Sequence, residues 1–202
     1  MKFLIRLRNI GYNKYLKVLG IMRTAALVFD NFLSEDKWNY IQETVSNSDY
    51  LKTEDFREWK DSFYQQVLDW IKQRLKELDI WREHWDHTID MWSYINSLPS
   101  GIDRESSGDG YHSEFGGLVY YIHPQWNSEW GGHLMFKNCD VEKIVPIPNR
   151  FVWINPVVPH KIEVVSNVAE NNRITIVSWP EGCVRSDLAM QTINILKEEN
   201  PE

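Results

Sequence analysis

The residues with the clearest chemical potential are His112 and Glu114, which stand two positions apart around Ser113. In an extended segment, residues i and i+2 point to the same side of the chain. An imidazole and a carboxylate with this spacing can therefore converge on one metal ion without distortion of the backbone. Because tripeptides of this kind are common by chance, the rest of the chain has to supply a further ligand.

The best candidate for a third ligand is His160, which opens a predicted strand. His123 and His133 are rivals, because each lies in or beside a predicted strand. Two histidines and one carboxylate on one face of an ion leave three coordination positions open. This arrangement suits non-haem Fe(II) enzymes, which gather a cosubstrate, O₂ and a substrate around one ion. The pattern predicts a facial metal site in a β-rich fold.

Arg173 stands 13 residues after His160 and opens a predicted strand over residues 173–179. A buried arginine can hold a carboxylate through two parallel hydrogen bonds, whereas an arginine on an edge strand serves in a surface salt bridge. Both roles are open at this point. Tyr120 and Tyr121 lie on the next predicted strand after Glu114, and since side chains alternate along a strand, only one of them can point inward.

The elements around these residues are helical first and β-rich afterwards. Residues 25–29 form a predicted strand, a helix begins near Ser34, and apolar positions spaced three and four apart predict a long helix over residues 55–78. Residues 88–96 are predicted to form a strand, and residues 97–110 a long loop rich in Ser, Gly, Pro and Asp. Five more short strands follow, over residues 117–123, 133–136, 150–154, 161–165 and 173–179.

Many short strands separated by turn residues are typical of a sandwich or barrel. With no internal repeat or linker, residues 24–202 are predicted to be one domain with helical support over 34–78, a β core over 88–180 and a C-terminal helix over 185–199. Residues 1–23 hold six Lys or Arg and no acidic residue, and form a predicted basic extension. A helix lying on a membrane surface is the alternative for that extension.

The composition limits the classes of partner. A net charge of −7 argues against broad nucleic-acid binding, which needs a basic surface. No apolar run is long enough for a membrane span. The two cysteines, Cys139 and Cys183, match no metal-binding spacing, so we expect two reduced thiols in a cytoplasmic protein. The oligomeric state is left open.

The ordered motifs between residues 25 and 180 resemble the prolyl-4-hydroxylase-like branch of the Fe(II)/2-oxoglutarate-dependent oxygenases. The segment LVYYIHPQWNSEWGGHL, residues 118–134, resembles the family's Tyr-Leu-Asn strand, Trp-containing turn and Gly-Gly before Leu. Residues 149–160 resemble the strand that leads into its distal histidine, and residues 173–179 its final strand. Residues 26–34 resemble its entry segment. The resemblance implies a double-stranded β-helix, or jelly roll: mainly β with flanking helices.

The resemblance also implies roles for the metal-binding residues. His112, Glu114 and His160 would bind Fe(II). Glu114 stands where most relatives have Asp, although some branches, such as the JmjC demethylases, also use H-x-E. His123 is a second departure, because it occupies the position of the usual Asn.

For the cosubstrate, the resemblance implies that Arg173 pairs with the distal carboxylate of 2-oxoglutarate. Tyr121 would donate its hydroxyl to the same carboxylate, and Thr175 would assist from two positions after the arginine. Trp179 would line the substrate pocket. Tyr94 is a further pocket candidate, with core packing as its alternative role.

The implied function is a dioxygenase that uses Fe(II), 2-oxoglutarate and O₂. It would hydroxylate an unactivated C–H bond of a small molecule or peptide, with a prolyl residue or a free amino acid favoured, and release succinate. A halogenase is disfavoured because the carboxylate ligand is present. An AlkB-type demethylase is disfavoured because Trp179 stands where that group has a second arginine. The alternative is a non-catalytic, cupin-like protein that binds a small molecule, in which His160 and Arg173 are structural.

Overall fold

The computed structural model describes residues 25–48, 56–57, 62–78, 92–101, 110–111, 117–155 and 158–179. For residues 56–57, 92–98 and 179 it describes the backbone alone. Three sequence predictions therefore lie outside the described residues: the ligand pair His112 and Glu114, the basic extension over 1–23 and the helix over 185–199.

Short strands dominate the described part of the chain. The α-helices are α1 (Glu35–Asn47) and α2 (Ser62–Glu77), and a 3₁₀ helix covers Ser128–Trp130. The strands are β1 (Ala26–Phe29), β2 (Phe56–Arg57), β3 (Trp92–Leu98), β4 (Leu118–Tyr121), β5 (Leu134–Phe136), β6 (Lys143–Ile144), β7 (Phe151–Ile154), β8 (His160–Ile162) and β9 (Arg173–Trp179).

The strands form two antiparallel sheets. The larger sheet has the order β1-β7-β4-β9-β3-β2, and the smaller has the order β6-β5-β8. From β4 onward the chain passes back and forth between them, since β4, β7 and β9 belong to the larger sheet and β5, β6 and β8 to the smaller. This winding of two facing sheets is the predicted double-stranded β-helix, with both helices in the segment before β3.

Strand β4 has a buried residue at every position, because it is covered on both faces. Leu118 and Tyr120 belong to a core that the larger sheet shares with α1 and α2. Val119 and Tyr121 belong to a second core, which includes Leu134 of the smaller sheet. The expectation that only one of the two tyrosines points inward is confirmed, and Tyr121 is the one between the sheets.

Both helices pack on the sheet through one apolar face. Helix α1 begins after Ser34, whose backbone is extended, and acidic residues in its first turn suit the positive end of the helix dipole. Ile41 and Val45 are its buried positions, and α2 buries Phe63, Val67, Ile71 and Leu75 among others. Of the helices in the described ranges, none has the length and apolar character to cross a membrane.

The predicted helix over residues 55–78 is wrong at its N-terminal end. Phe56 and Arg57 form strand β2, which pairs with Ser97 and Asn96 of β3, and α2 begins only at Ser62. Apolar spacing does not distinguish a two-residue strand from a helical turn, and here the edge of β3 supplies the backbone hydrogen bonds.

The predicted loop over residues 97–110 also begins too early. Strand β3 continues to Leu98, which is paired with Arg173 of β9. Strand β6 was not predicted at all, since two residues are too few for a periodic pattern. Its place is decided by pairing with β5.

Asn149 ties the entry segment to the larger sheet. Its side-chain amide donates to the Leu33 carbonyl (3.0 Å), while its Oδ1 accepts from the Leu33 amide (3.0 Å) and from the Tyr120 hydroxyl (2.8 Å). The residue is buried and has φ of 58°, a left-handed conformation that Asn adopts more readily than most residues. It connects three segments that are far apart in sequence.

We expect Asn149→Ala to lower the free energy of unfolding by about 2–4 kcal/mol, because it leaves buried backbone groups and a phenol without partners and strains the backbone. Urea denaturation measures the loss. Asn149→Gly should recover part of it, since glycine accepts the positive φ but restores no hydrogen bond. Equal stability of the alanine variant and the parent protein would contradict this account.

Candidate functional site

Arg173, the first residue of β9, is a charged side chain with 0% exposure. Its Nε donates to the Gly132 carbonyl (2.8 Å), and its Nη2 donates to the Tyr121 hydroxyl (3.3 Å). The guanidinium carbon lies 5.0 Å from the centroid of the Tyr121 ring. Within the described part of the chain, its Nη1 has no hydrogen-bond partner.

A buried guanidinium with an unused N–H is costly, at about 1–3 kcal/mol or more for the missing hydrogen bond. A ligand carboxylate is the group that best removes this cost, because it accepts from the planar guanidinium in a charge-assisted bond. The phenol beside Arg173 offers a further hydrogen-bonding group. The geometry of Arg173 and Tyr121 therefore fits a ligand carboxylate. The edge-strand salt bridge is excluded, because Arg173 is buried and β9 is paired on both sides.

Two successive glycines allow the chain to approach Arg173 closely. Gly131 and Gly132 have φ of 68° and 66°. A Cβ on Gly132 would lie 3.0 Å from both Arg173 Cδ and Trp126 Cζ2, so a larger residue would displace the arginine or the indole. The indole of Trp126 is itself held by a hydrogen bond from its Nε1 to the Gly131 carbonyl (3.1 Å).

His123 lies next to this arginine. The register of β4 and β9, continued past the Tyr121–Thr175 pair, places it opposite Arg173. Its Nε2 donates to the Pro146 carbonyl (2.6 Å), and its ring centroid lies 4.7 Å from that of Trp126. Burial lowers the pKa of His123 to about 3, and the positive charge of Arg173 adds to this effect.

The imidazole is thus neutral at physiological pH. Sequence reasoning treated His123 as a rival metal ligand and as a departure from the family's usual Asn, and it missed the position of His123 beside Arg173. The strand register, which follows from tertiary pairing, was the missing information.

His160 opens β8 and faces the space between the two sheets. It pairs with Phe136 of β5, and their ring centroids are 6.2 Å apart. Its Nδ1 lies 2.8 Å from the Val158 carbonyl, which can only accept, so Nδ1 carries the proton. The lone pair is then on Nε2, and a backbone hydrogen bond of this kind typically orients a metal-binding histidine. His160 is in the correct tautomer for the predicted role.

His133 lies on the other face of the smaller sheet. It precedes Leu134, which pairs with Ile162 on the inner face, and its Nδ1 contacts the carboxylate of Glu163. Since neighbouring residues of a strand point to opposite faces, His133 does not share the face of His160. In the ranges that the structure covers, no three His, Cys, Asp or Glu side chains form a group suited to a metal ion. His112 and Glu114 lie outside those ranges.

The remaining predicted site residues are on β9, the strand of Arg173, and on the neighbouring strand β3. Thr175 is fully buried and pairs with Tyr121. Tyr94 of β3 pairs with Val177, and Trp179 pairs with Trp92. The pocket roles of Tyr94 and Trp179 stay predictions, because only the backbone of these two residues is described.

Comparison with known families agrees with this geometry. The model of a family described as the 2OG-Fe(II) oxygenase superfamily matches residues 80–181, slightly more than half of the 202 residues. The chain belongs to the 2OG-Fe(II) oxygenase superfamily. It is therefore an enzyme of a class that uses Fe(II), 2-oxoglutarate and O₂, and the non-catalytic alternative is wrong.

Among solved structures, the chain is similar to NgTET1 in complex with 5mC DNA, with a TM-score of 0.52, 14% identity and coverage of 87% of this chain and 81% of that one. It also matches a Pseudomonas putida prolyl-4-hydroxylase (TM-score 0.48, 16% identity, 81% and 95% covered). A third match is the collagen prolyl hydroxylase of Paramecium Bursaria Chlorella virus-1 (TM-score 0.47, 15% identity, 77% and 95% covered). No curated protein matched the sequence. The similarity to NgTET1 supports the fold alone.

We expect the buried neutral state of His123 to make stability depend on pH. Its pKa is about 3 in the folded protein against 6.5 as the reference value, so the unfolded chain binds more protons between these values. The contribution of neutral His123 to the free energy of unfolding is fully present above pH 6.5 and is lost as the pH falls towards 3. The loss is about 2 kcal/mol between pH 7 and pH 5. Urea denaturation at both pH values measures it.

His123→Gln is the matched control for this prediction, because glutamine keeps a hydrogen-bond donor near the Pro146 carbonyl but does not titrate. Its unfolding free energy should change by about 2 kcal/mol less than that of the parent over the same pH interval. An equal change in the two proteins would contradict burial of a neutral imidazole.

Proposed function

We propose that this oxygenase hydroxylates an unactivated C–H bond, with a prolyl residue or a free amino acid as the favoured substrate, and converts 2-oxoglutarate to succinate. The observation that carries the proposal is Arg173: a fully buried cation with an unfilled N–H, next to the Tyr121 hydroxyl, in the space between the sheets. A structural arginine would instead be expected to have its donors satisfied.

In this proposal Arg173 and Tyr121 bind the distal carboxylate of 2-oxoglutarate. Nη1 donates to one carboxylate oxygen, and the Gly132 carbonyl keeps the guanidinium plane fixed through Nε. Thr175 lies across from Tyr121 and adds a hydroxyl at the same end. Because His123 is neutral, Arg173 carries the only positive charge of this pair, and that charge balances one ligand carboxylate.

At the other end of the pocket, His160 presents Nε2 to Fe(II), with His112 and Glu114 as the other proposed ligands. The hydrogen bond from Nδ1 to the Val158 carbonyl keeps the ring oriented. Val158 and Phe136 belong to the apolar cluster between the sheets, which excludes water around this histidine. The bound metal and cosubstrate supply the oxidation: O₂ is consumed, 2-oxoglutarate becomes succinate and CO₂, and one oxygen atom enters the substrate C–H bond.

The substrate class is proposed from the sequence resemblance over residues 118–134 and 149–160. Trp179 and Tyr94, on neighbouring strands β9 and β3, are the proposed pocket residues. Although NgTET1 was solved with DNA, the net charge of −7 disfavours a polyanionic substrate here. A prolyl peptide or an amino acid is not a polyanion, so its binding needs no basic surface.

The first test is succinate formation from 2-oxoglutarate by the purified protein under Fe(II). We expect the activity to require Fe(II), and His160→Ala to lower Fe(II) affinity at least 100-fold, on the scale of a lost metal ligand. Arg173→Met should raise the KM for 2-oxoglutarate by about 100-fold, because a charge-assisted bond contributes about 1.5–3 kcal/mol or more.

Arg74→Met is the matched control for Arg173→Met, since Arg74 is a half-exposed arginine of α2 that pairs with Glu77. It should leave the KM for 2-oxoglutarate unchanged. Retention of Fe(II) by a folded His160→Ala protein, or of the parental KM by Arg173→Met, would refute the assigned site.

The second test concerns the substrate. With a panel of prolyl peptides, free amino acids and 5-methylcytosine DNA, we expect stoichiometric succinate and a mass gain of one oxygen atom in a prolyl peptide or an amino acid. Oxidation of the DNA alone would show that the resemblance misleads about the substrate while the cosubstrate site stands.

A further inference from the structure

The groups that surround the Arg173 guanidinium do not balance its charge. The Gly132 carbonyl accepts from Nε, and the Tyr121 hydroxyl accepts from Nη2. His123, just past the end of β4, lies opposite the arginine, and burial lowers its pKa to about 3, so the imidazole is neutral. Among the described residues, no carboxylate forms an ion pair with Arg173. The buried charge is therefore left for a ligand to balance.

Position 123 is the place from which the protein itself could balance this charge. Directly opposite residues of an antiparallel pair have their side chains on the same face and their Cβ atoms about 4.5–5.5 Å apart. An acidic side chain opposite Arg173 would therefore reach the guanidinium and complete a buried ion pair. Because a buried charge without a counter-charge is strongly unfavourable, this pair would stabilise the fold. The chain has an imidazole at position 123 and forgoes that stabilisation.

The contacts of His123 hold the neutral ring in place. Its Nε2 donates to the Pro146 carbonyl (2.6 Å), so the single proton of the ring is on Nε2. The imidazole packs on Trp126, with ring centroids 4.7 Å apart. A Cβ on Gly132 would lie 3.0 Å from both Trp126 Cζ2 and Arg173 Cδ. The imidazole, the indole and the arginine therefore form one packed group beside Gly132.

We propose that His123 is a specificity-determining residue of the cosubstrate site: by staying uncharged opposite Arg173, it leaves the guanidinium available to a ligand carboxylate. The proposal rests on the cosubstrate site proposed above and deepens it. The ligand supplies the counter-charge that the protein omits. A negative side chain at position 123 would compete with the ligand for the same donors, so the stability of the protein and its affinity for the cosubstrate should change in opposite directions.

The first test compares His123→Glu with His123→Gln, two side chains of nearly equal size that differ by one charge. Anaerobic equilibrium dialysis of the full chain with Fe(II) and radiolabelled 2-oxoglutarate gives the dissociation constant. The constant of His123→Gln should stay within about threefold of the parent. That of His123→Glu should be about 100-fold higher than that of His123→Gln, because the charge-assisted bond from Arg173 is lost to the ligand.

A second ligand, 2-oxopentanoate, separates loss of specificity from general damage to the pocket. It has the same carbon chain as 2-oxoglutarate, with a methyl group in place of the distal carboxylate. Its dissociation constant should be the same in His123→Glu and His123→Gln, because it does not use the charge of Arg173. If His123→Glu weakens both ligands equally, the role of His123 in specificity is refuted.

Thermal denaturation of the same two variants gives an independent measurement. Without cosubstrate, His123→Glu should unfold about 5 °C above His123→Gln, because the carboxylate completes a buried ion pair. Saturating 2-oxoglutarate should raise the midpoint of His123→Gln and leave that of His123→Glu nearly unchanged. A merely structural residue would lose stability and affinity together. A lower midpoint for His123→Glu than for His123→Gln would therefore overturn the proposal.

Gln125→Glu is the matched control for the added charge, since Gln125 is exposed and stands two residues after His123. We expect it to keep the parental dissociation constant and midpoint. If it weakens 2-oxoglutarate binding as much as His123→Glu, a general charge effect is responsible and the proposal is refuted. Should His123→Glu fail to fold, His123→Asp and His123→Asn make the same comparison with shorter side chains. If neither acidic variant folds while both neutral variants do, the proposal is also refuted, because it requires the ion pair to stabilise the fold.

Arg173→Met separates this proposal from the proposed function. If Arg173→Met keeps the parental dissociation constant for 2-oxoglutarate, the proposed cosubstrate site itself is wrong. If Arg173→Met weakens binding while His123→Glu and His123→Gln bind 2-oxoglutarate equally, the cosubstrate site stands and the role of His123 is refuted.

Discussion

A positive charge buried between two β-sheets is the constraint on which the rest of this site depends. Arg173 has no exposure to solvent, so each of its N–H groups needs a partner inside the protein or on a ligand. The Gly132 carbonyl and the Tyr121 hydroxyl meet two of these needs, and Nη1, which has no partner among the described residues, remains for a ligand acceptor. The bond from Arg173 to the Gly132 carbonyl explains why two glycines with positive φ stand at the closest approach. Burial is the main cause that lowers the pKa of the opposite His123, and the charge of Arg173 adds to it.

The fold meets this constraint by burying β4 on both faces. One face, with Tyr120, closes the core under the helices, and Asn149 joins that face to the entry segment. The other face, with Tyr121, belongs to the second core and forms one wall of the proposed pocket. Because the same strand serves both cores, the position of Tyr121 relative to Arg173 is coupled to the packing of the helices on the sheet. The N-terminal helices are thus a support for the site as well as a cover.

The antiparallel register converts distant sequence positions into neighbours. Tyr121 and Thr175 face each other across β4 and β9, while His160 enters from the smaller sheet through its pairing with Phe136. The cosubstrate end and the metal end of the proposed pocket therefore belong to different sheets. Apolar residues of the second core, among them Phe136 and Val158, lie between the sheets.

Much of the fold and of the candidate site could be predicted from the order of the residues along the sequence. The strand over 173–179 was predicted with its observed bounds, because four consecutive β-branched residues between turn residues favour a strand. Tyr121 and Tyr120 had to face opposite ways, and burial of the former between the sheets agrees. The helix over 55–78 failed at Phe56 because a two-residue strand has no period of its own and exists only through its partner β3.

By itself the sequence predicted a β sandwich or barrel from local periodicity and turn residues, and the resemblance of its ordered motifs to a known family implied the superfamily, the jelly roll and the set of site residues. Only the tertiary structure decided which groups meet. It placed His123 beside Arg173, turned His133 towards Glu163 on the outer face and brought the Lys137 and Lys161 amines to the Tyr111 ring. The physical reason is that strand register and burial arise from pairing between distant segments. A histidine is therefore a proposed metal ligand, as at His160, or an outer-face residue, as at His133, according to the face of the sheet on which strand pairing places it.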